Sequence, residues 1–303
     1  MRVFVTGASG YIGAAVAAAL ARTGHSVSGL VRSEDKARRL AALEVTPVLG
    51  DMAAPESYRG AAAGSEVVIH CAAEPSPRYL ELDRVTVDTC LAAAAGSARV
   101  RLFIYTSGVW VYGGTSHELV DETSPLDPPP FLHPRVEHEA RVLAANRGLV
   151  RTLVLRPGCV YGGGGGLTAS WFASAVAEGA ARMVGDGSCR WAMVHVEDLA
   201  DAYLRAAEMT TGGEILNVTD RSRFTVRECA EAASRAAGAG GAVRATPVAE
   251  AAAAMGASAE CLTYSQHVDS RKAVRLLGWQ PRHGGFVDGV VRYFAAWQAL
   301  REA

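Results

Sequence analysis

Metal-ligand patterns and paired cysteines are missing from this 303-residue sequence. Its six cysteines are scattered, with no CxxC pair and no histidine at zinc-ligand spacing, which argues against both a disulfide framework and a metal site. We therefore predict no bound metal, and we expect reduced, buried thiols at Cys71, Cys90, Cys159, Cys189, Cys229 and Cys261.

Long apolar runs and an excess of one charge are also missing. Segments such as AAVAAALA are too short and too rich in alanine to span a bilayer. The N-terminus leads directly into a strand and a glycine loop, without the apolar segment and cleavage site of a signal peptide. The formal net charge of −1 does not favour a nucleic-acid surface. We predict a cytoplasmic globular protein with a small-molecule substrate, no membrane or nucleic-acid partner, and an oligomeric state that stays open.

The first half of the chain alternates short β-branched runs with helical stretches, as βαβ units do. Apolar runs such as EVVIHCA and RTLVLRP indicate strands that are covered by helices on both faces. The sequence predicts an α/β fold with a doubly wound parallel sheet, the Rossmann fold, and a ligand crevice at the carboxyl ends of its strands. Strands are predicted near residues 2–6, 26–31, 45–49, 67–71, 101–106 and 151–155, and helices near 11–22, 55–63, 79–95 and 134–146.

The pattern loosens after Gly158. Five consecutive glycines precede a helix around residues 170–178, a further helix is N-capped near Glu197 or Asp198, and GEILNVTD is predicted to form a buried strand. Two more helices are predicted within residues 225–238 and 284–303, separated by the segment AGAGGAVRATPV. We assign residues 1–159 and about 190–224 to a dinucleotide-binding domain, and residues about 160–189 and 225–303 to a smaller, mainly helical substrate-binding portion.

The stretch VFVTGASGYIG places three glycines between the first strand and the first helix. Glycine permits a tight turn there, and a helix N-terminus offers unpaired N–H groups to a pyrophosphate. A glycine triplet alone is a weak signal, but its place between a strand and a helix strengthens it. We predict cofactor contacts from Thr6, Gly7, Ser9, Gly10, Tyr11, Ile12 and Gly13.

The GxxGxxG spacing resembles that of the short-chain dehydrogenase/reductase superfamily in its extended or atypical form. The resemblance extends over essentially the whole chain, through the stretches GDM, HCAAEPS, YTSGVWVYG, LRPGCVYG, VHVEDLADA and DSRKAVRLLGWQP. It implies that Asp51 and Met52 flank the adenine of a nicotinamide cofactor, that Ala72 and Ala73 pass its ribose and phosphates, and that Pro157 and Gly158 lie near the nicotinamide.

The end of the second strand indicates which cofactor is bound. Arg32 and Ser33 come first there, whereas the carboxylates of Glu34 and Asp35 follow. Because a guanidinium can bind a 2′-phosphate through two hydrogen bonds, the sequence favours NADP(H) over NAD(H). The alternative is that Arg32 is a solvated loop charge.

The superfamily's catalytic set has no counterpart here. By the resemblance, a Ser or Thr should follow the fifth strand, and a Tyr and a Lys four residues apart should share a face of the next helix. Aligned on Glu139 and Tyr112, the hydroxyl position is Gly108, the tyrosine position is Phe131 and the lysine position is Arg135.

No shift of the alignment restores the set. The sequence contains no tyrosine between Tyr112 and Tyr161, and its two lysines, Lys36 and Lys272, have no tyrosine four residues before them. Pro134 fits the first turn of a helix, so Phe131 should precede the helix proper. Arg135 can still hold ribose hydroxyls, but it is a poor proton source.

Reduction of a carbonyl can proceed without the tyrosine. Positioning of the reactants supplies about 7–11 kcal/mol, whereas a general acid adds only about 10²–10⁴-fold. Proton sources to consider are Thr106, Ser107, His133, a water or a hydroxyl of the substrate. The plainer alternatives are strand-end capping or cofactor contact for Thr106 and Ser107, a loop or N-cap role for His133, and a structural role for His195. Four aromatic residues offer either a wall for a flat ligand or plain core: Trp110, Phe131, Trp171 and Trp191.

The leading hypothesis is an NADPH-dependent ketoreductase that acts on a polycyclic aromatic, polyketide-derived ketone. The chain resembles the angucyclinone ketoreductases of antibiotic biosynthesis, which lack the Ser-Tyr-Lys set. Two alternatives stay open: a nucleotide-sugar epimerase or dehydratase, and a non-catalytic NADP(H)-binding sensor or scaffold.

Overall fold

The computed structural model describes residues 1–74 and 76–302, so Pro75 of the HCAAEPS stretch and Ala303 lie outside the described residues. Strands occupy β1 (Arg2–Thr6), β2 (Ser26–Val31), β3 (Thr46–Leu49), β4 (Val67–His70), β5 (Leu102–Thr106), β6 (Leu119–Val120), β7 (Arg151–Pro157), β8 (Cys159–Tyr161), β9 (Ala181–Val184), β10 (Met193–His195), β11 (Glu214–Val218), β12 (Val243–Thr246) and β13 (His267–Val268). Helices occupy α1 (Tyr11–Arg22), α2 (Glu34–Ala41), α3 (Arg59–Ala63), α4 (Tyr79–Ala95), α5 (His133–Ala144), α6 (Ala169–Glu178), α7 (Val196–Ala207), α8 (Val226–Ala236), α9 (Val248–Met255), α10 (Ser258–Cys261), α11 (Arg271–Leu277) and α12 (Phe286–Glu302). Short 3-10 helices lie at Pro55–Ser57, Val109–Tyr112 and Pro130–Leu132.

Seven parallel strands form the central sheet in the order β11-β7-β5-β4-β1-β2-β3, which confirms the predicted doubly wound sheet. Side chains alternate along each strand, so Val3 and Val5 of β1 pack on one face with α1 and α7, while Phe4 packs on the other face with α3 and α4. The strand order reverses between β1 and β4. A crevice therefore opens at the carboxyl ends of these two strands.

Most predicted elements of the first half are confirmed, and β1, β2, α1 and α4 have the predicted ends. Helix α2 was not predicted because its sequence EDKARRLA is short and highly charged and offers only Ala37 and Leu40 for burial. The predicted cap of α7 at Glu197 or Asp198 is wrong, since the side chain of His195 accepts the Glu197 N–H and caps the helix. The segment AGAGGAVRATPV is also more than a connection, because its strand β12 pairs in parallel with β9.

A second core lies outside the sheet, between α6, α8 and α12. Trp171 and Trp191 stack within it, with ring centroids 5.3 Å apart, and both are buried. Of the two roles considered for these tryptophans, the structure therefore supports plain core packing; Trp110 is half-buried at the edge of the same cluster. The six cysteines form no disulfide, and four of them are buried while Cys71 and Cys159 are half-buried. Among the described helices, none has the length and apolarity to cross a bilayer.

Candidate functional site

A cleft of about 300 Å³ lies at the carboxyl ends of β1, β2 and β4, where the strand order reverses. Its walls bring together most of the residues that the sequence assigned to the cofactor: Gly7, Ser9, Gly10, Tyr11, Ile12, Gly13, Arg32, Asp51, Met52, Ala72 and Ala73. Leu30, Val31, Lys36, Cys71 and Glu74 complete the lining. Thr6, Ser33, Arg135, Pro157 and Gly158 do not line this cleft.

The glycine loop has the geometry of an anion cradle. Gly7 has a φ of +70°, and a Cβ atom on it would lie 2.6 Å from the Cα of Ala72, so only glycine fits between β1 and β4. Gly10 is the N-cap of α1 and provides no side-chain cap, and the first turn of this twelve-residue helix has no acidic residue. Its N–H groups and the positive end of its dipole are therefore available to a pyrophosphate.

The five-glycine run packs against the ring of Tyr11. The Tyr11 hydroxyl donates to Gly162 O at 2.6 Å, and a Cβ on Gly165 would lie 2.5 Å from the Tyr11 ring. Gly166 has a φ of +77° and approaches Val160 O so closely that a Cβ there would lie 2.2 Å from it. The run therefore lies against the first residue of α1, and a side chain at Gly165 or Gly166 would collide with its neighbours.

Two cations lie at the end of the cleft next to β2. Arg32 Nη1 donates to Glu74 Oε2 at 2.7 Å across the mouth of the cleft, with about half of the arginine side chain exposed. Lys36, which the sequence reasoning missed, lines the same end. Two features of the sequence could have pointed to Lys36: it is one of only two lysines, and it lies four residues after Arg32. Ser33 caps α2 by accepting the Lys36 N–H.

Thr6 takes part in a buried network instead of facing the cleft. Its hydroxyl lies 2.6 Å from His70 Nδ1, and His70 Nε2 lies 3.0 Å from Asp83 Oδ1. His138 Nδ1 and the Tyr105 hydroxyl both contact Asp83 Oδ2 at 2.6 Å. Burial alone would raise the pKa of Asp83, but the hydrogen bonds from His138 and His70 outweigh it and hold the pKa at about 2. The network ties β1, β4 and β5 to α4 and α5.

A second group of polar atoms lies at the carboxyl end of β5. Arg135 Nη1 donates to Thr106 O at 3.3 Å, which fixes the guanidinium against the strand end. The Ser107 hydroxyl and Arg135 Nε are both buried without a hydrogen-bond partner among the described residues. Buried donors without partners are rare in folded proteins, so a bound group is the natural partner for both. Burial lowers the pKa of Arg135 to about 10, which leaves it cationic at neutral pH.

The other candidates at this end have partners of their own. The Thr106 hydroxyl lies 2.5 Å from the hydroxyl of Tyr203, a residue of α7 that the sequence reasoning did not single out. His133 is exposed, and its Nε2 lies 3.2 Å from Pro128 O in its own loop. Gly108 lies near Pro157, and Gly158 packs against β10, where a Cβ would lie 2.6 Å from Ala192 O.

Glu139 fixes α5 against the central sheet. Arg156 Nε donates to Glu139 Oε1 at 3.0 Å, and both side chains are buried, so this pair holds α5 against β7. Phe131 lies in the 3-10 helix that precedes α5 and is half-buried. The expectation that Phe131 precedes the helix proper is confirmed.

A group of potential metal ligands, His195, Glu197 and His283, brings its ligand atoms within 4.8 Å of one another. His195 Nδ1, however, accepts the backbone N–H of Glu197, and the two imidazole rings stack with centroids 3.5 Å apart. The Nδ1 atom of His195 is thus used as a helix cap, and its ring packs on that of His283. These contacts give His195 the structural role considered for it.

Comparisons with known proteins give a consistent result. A family model described as the NAD dependent epimerase/dehydratase family matches residues 3–219. The chain is 35% identical over 236 residues to a 4-hydroxy-2-methyl-3-oxo-4-farnesyl-3,4-dihydroquinoline-1-oxide ketoreductase of Stigmatella aurantiaca, covering 75% of this chain and 70% of that protein. It is 29% identical over 308 residues to a 3-diazoavenalumate denitrifying reductase of a Streptomyces species, with 96% and 100% covered.

Among solved structures, a UDP-glucuronic acid 4-epimerase from Bacillus cereus, in complex with UDP-glucuronic acid and NAD, has a TM-score of 0.83. The match covers 99% of this chain and 100% of the epimerase chain, with 19% sequence identity. At that identity the likeness shows the fold alone.

Proposed function

The chain belongs to the NAD-dependent epimerase/dehydratase family and is an NAD(P)H-dependent oxidoreductase; from that premise we propose that it is an NADPH-dependent ketoreductase of a fused-ring aromatic, polyketide-derived ketone. The observation that carries this proposal is the pair of buried, unpartnered donors at the end of β5, Ser107 Oγ and Arg135 Nε. Reduction builds negative charge on a carbonyl oxygen, and preorganised hydrogen-bond donors stabilise that charge.

The same donors argue against an epimerase or dehydratase. Those reactions begin by withdrawing a hydride from an alcohol, so a base must take the hydroxyl proton. Neither an ordinary serine nor a cationic arginine is a base at neutral pH. Gly108, Phe131 and Arg135 supply no such base at the superfamily's catalytic positions, so an epimerase or dehydratase would need a base from elsewhere in the site.

The substrate class rests on two resemblances. The Stigmatella relative is named as a ketoreductase of a hydroxylated, oxo-substituted dihydroquinoline oxide, which is a fused-ring ketone. The sequence motifs also resemble those of the angucyclinone ketoreductases. Such a substrate carries a hydroxyl near its ketone, and that hydroxyl can share in stabilising the carbonyl oxygen.

We propose the following roles for the residues of the site. The glycine loop and the N-terminus of α1 bind the pyrophosphate, and Asp51, Met52, Ala72 and Ala73 enclose the adenosine side. When bound, the cofactor supplies the hydride. Ser107 and Arg135 donate to the carbonyl oxygen or the neighbouring ribose, and Thr106 anchors Arg135 through its carbonyl.

The two portions of the chain have different roles in this proposal. Residues 1–159 and about 190–224 serve the cofactor, and residues about 160–189 and 225–303 serve the substrate. The protein acts in the cytoplasm.

The cofactor preference gives a first prediction. In an Arg32→Ala, Lys36→Ala double variant, the Kd for NADPH is expected to rise about 10–100-fold, because hydrogen bonds to charged groups contribute about 1.5–3 kcal/mol. The Kd for NADH should stay within about threefold, since NADH has no 2′-phosphate. Arg38→Ala on the exposed side of α2 is the matched control and should change neither value. Equal affinity of the wild-type protein for both cofactors, measured by fluorescence titration, would refute the preference.

Turnover tests the proposed reaction. NADPH oxidation by the wild-type protein is expected with fused-ring aromatic ketones and not with nucleotide sugars, which are assayed in parallel for epimer formation. Conversion of a nucleotide sugar would support the epimerase alternative, and tight NADPH binding without oxidation by any ketone would support the sensor alternative. A Phe131→Tyr, Arg135→Lys double variant should not be more active than the wild-type protein. Phe131 lies before α5, so a tyrosine there would not share a helix face with residue 135 as the superfamily's tyrosine and lysine do.

A further inference from the structure

A tyrosine from a neighbouring helix faces the cation that replaces the superfamily's lysine. Tyr79 is the first residue of α4, which packs with α5 on the same face of the sheet. The guanidinium carbon of Arg135 lies over the Tyr79 ring, 5.1 Å from its centroid. A phenol and a cation are therefore adjacent, although they come from two helices instead of one turn of α5.

Tyr79 contacts the site through Arg135. The Arg135 guanidinium, which lies over the Tyr79 ring, is held at the end of β5 by the carbonyl of Thr106. In the sequence, Tyr79 comes five residues after Glu74, which lines the cofactor cleft. The side chain is half-buried, so it is neither sealed in the core nor a plain surface residue.

The other groups with a transferable proton fit less well. Tyr203 is fully buried, its hydroxyl already pairs with Thr106, and burial raises the pKa of its phenol far above the usual range. His133 is exposed and faces the carbonyl of Pro128. The Ser107 hydroxyl suits a hydrogen-bond donor, but as an alcohol it is a much weaker acid than a phenol.

We propose that Tyr79 is the proton donor of the reduction and that Arg135 is the cation that stabilises its phenolate. This inference rests on the proposed ketoreductase function. The carbonyl carbon receives the hydride, and the carbonyl oxygen takes the phenolic proton of Tyr79. The products are the alcohol, the oxidised cofactor and a tyrosinate, which solvent then reprotonates.

Arginine suits this arrangement for a geometric reason. A planar guanidinium stacks on an aromatic face and remains charged when it is buried, whereas an ammonium is more strongly hydrated. The Arg135 guanidinium contacts the Thr106 carbonyl and lies over the Tyr79 ring at once. A lysine at position 135 keeps the charge but has a single nitrogen for these two contacts.

The first test compares two tyrosine variants. Tyr79→Phe removes only the hydroxyl, and we expect kcat to fall about 10²–10⁴-fold while the Kd for NADPH stays within about twofold. Tyr58→Phe makes the same change at a tyrosine that packs on Phe4 and does not line the cleft, and it should leave kcat unchanged. An unchanged kcat in Tyr79→Phe would overturn the inference while leaving the ketoreductase function in place.

The second test needs neither cofactor nor substrate. In the free protein, with tyrosine labelled at the ring carbon that bears the hydroxyl, NMR titration follows each phenol, and Tyr79→Phe identifies the Tyr79 signal. We expect Arg135→Gln to raise the pKa of Tyr79 by at least about one unit, with Arg135→Lys in between. A pKa that does not respond to Arg135→Gln would refute the inference even if no ketone is turned over, and absence of turnover in the wild-type protein would refute the proposed function alone.

Discussion

Replacing Asp83 by asparagine is expected to lower the free energy of unfolding by about 3–5 kcal/mol, the usual effect of removing one partner from a buried charged network. Three donors converge on this carboxylate, from His70, His138 and Tyr105. An amide has only one accepting oxygen, and its NH₂ group would face a donor. Denaturant unfolding at neutral pH, followed by circular dichroism, measures the loss.

Asp88→Asn is the matched control because Asp88 lies on the same helix. Its side chain is about one-third exposed and pairs with Arg84 and Arg141 at the surface. Surface ion pairs contribute about 0–1 kcal/mol, so this variant should unfold almost like the wild-type protein. If the two variants lost the same stability, the network around Asp83 would not be a main support of the sheet.

The same carboxylate predicts a dependence of stability on pH. The pKa of Asp83 is about 2 in the folded protein and has an ordinary value of 3.8, so the unfolded chain binds more protons between these values. The stabilisation is complete above about pH 4 and is lost as the pH falls toward 2, by roughly 2 kcal/mol. In Asp83→Asn, this part of the acid sensitivity should disappear.

The order of elements in the first half of the chain could be predicted because local signals agree there. The glycine loop determines the start of α1, and continuous apolar runs mark strands that are covered on both sides. Helix α2 shows the limit of such signals, since a helix of eight residues, mostly charged, has only two apolar side chains to bury and resembles a polar loop in composition. The C-terminal portion was harder for other reasons: the alanine-rich helix α9 has too little contrast between its faces, and α10 is only four residues long.

The residues of the candidate site also divide into those that the sequence predicts and those that it does not. Most residues that the sequence assigned to a cofactor line one cleft, because they follow strand ends and parallel strands bring their carboxyl ends together. The contacts at the end of β5 depend on packing between distant elements. Thr106 meets Tyr203 across 97 residues of sequence, and Tyr79 reaches Arg135 from another helix. The sequence shows that α5 contains no tyrosine, but the contact between Tyr79 and Arg135 depends on how α4 packs against α5.

Replacing Gly13 by alanine is expected to weaken cofactor binding at least about 100-fold. A Cβ on Gly13 would lie 2.2 Å from Gly7 O and 2.7 Å from Gly7 C, both backbone atoms of the loop itself. Helix α1 and the loop must move apart to relieve this overlap, and a displacement of about 1 Å at a binding site can cost about 10²-fold. The helix itself does not resist the change, because alanine has the higher helix propensity. The loss should therefore be found in the Kd for NADPH more than in the secondary structure.

Gly60→Ala separates this effect from a general response to an added methyl group. Gly60 lies in α3, and a Cβ there would meet open space. This variant should bind NADPH like the wild-type protein and be slightly more stable, by about 0.5–1 kcal/mol. Unchanged NADPH affinity in Gly13→Ala would mean that the loop adapts without cost, and the close contact between Gly7 and Gly13 would then not be the feature that shapes the anion cradle.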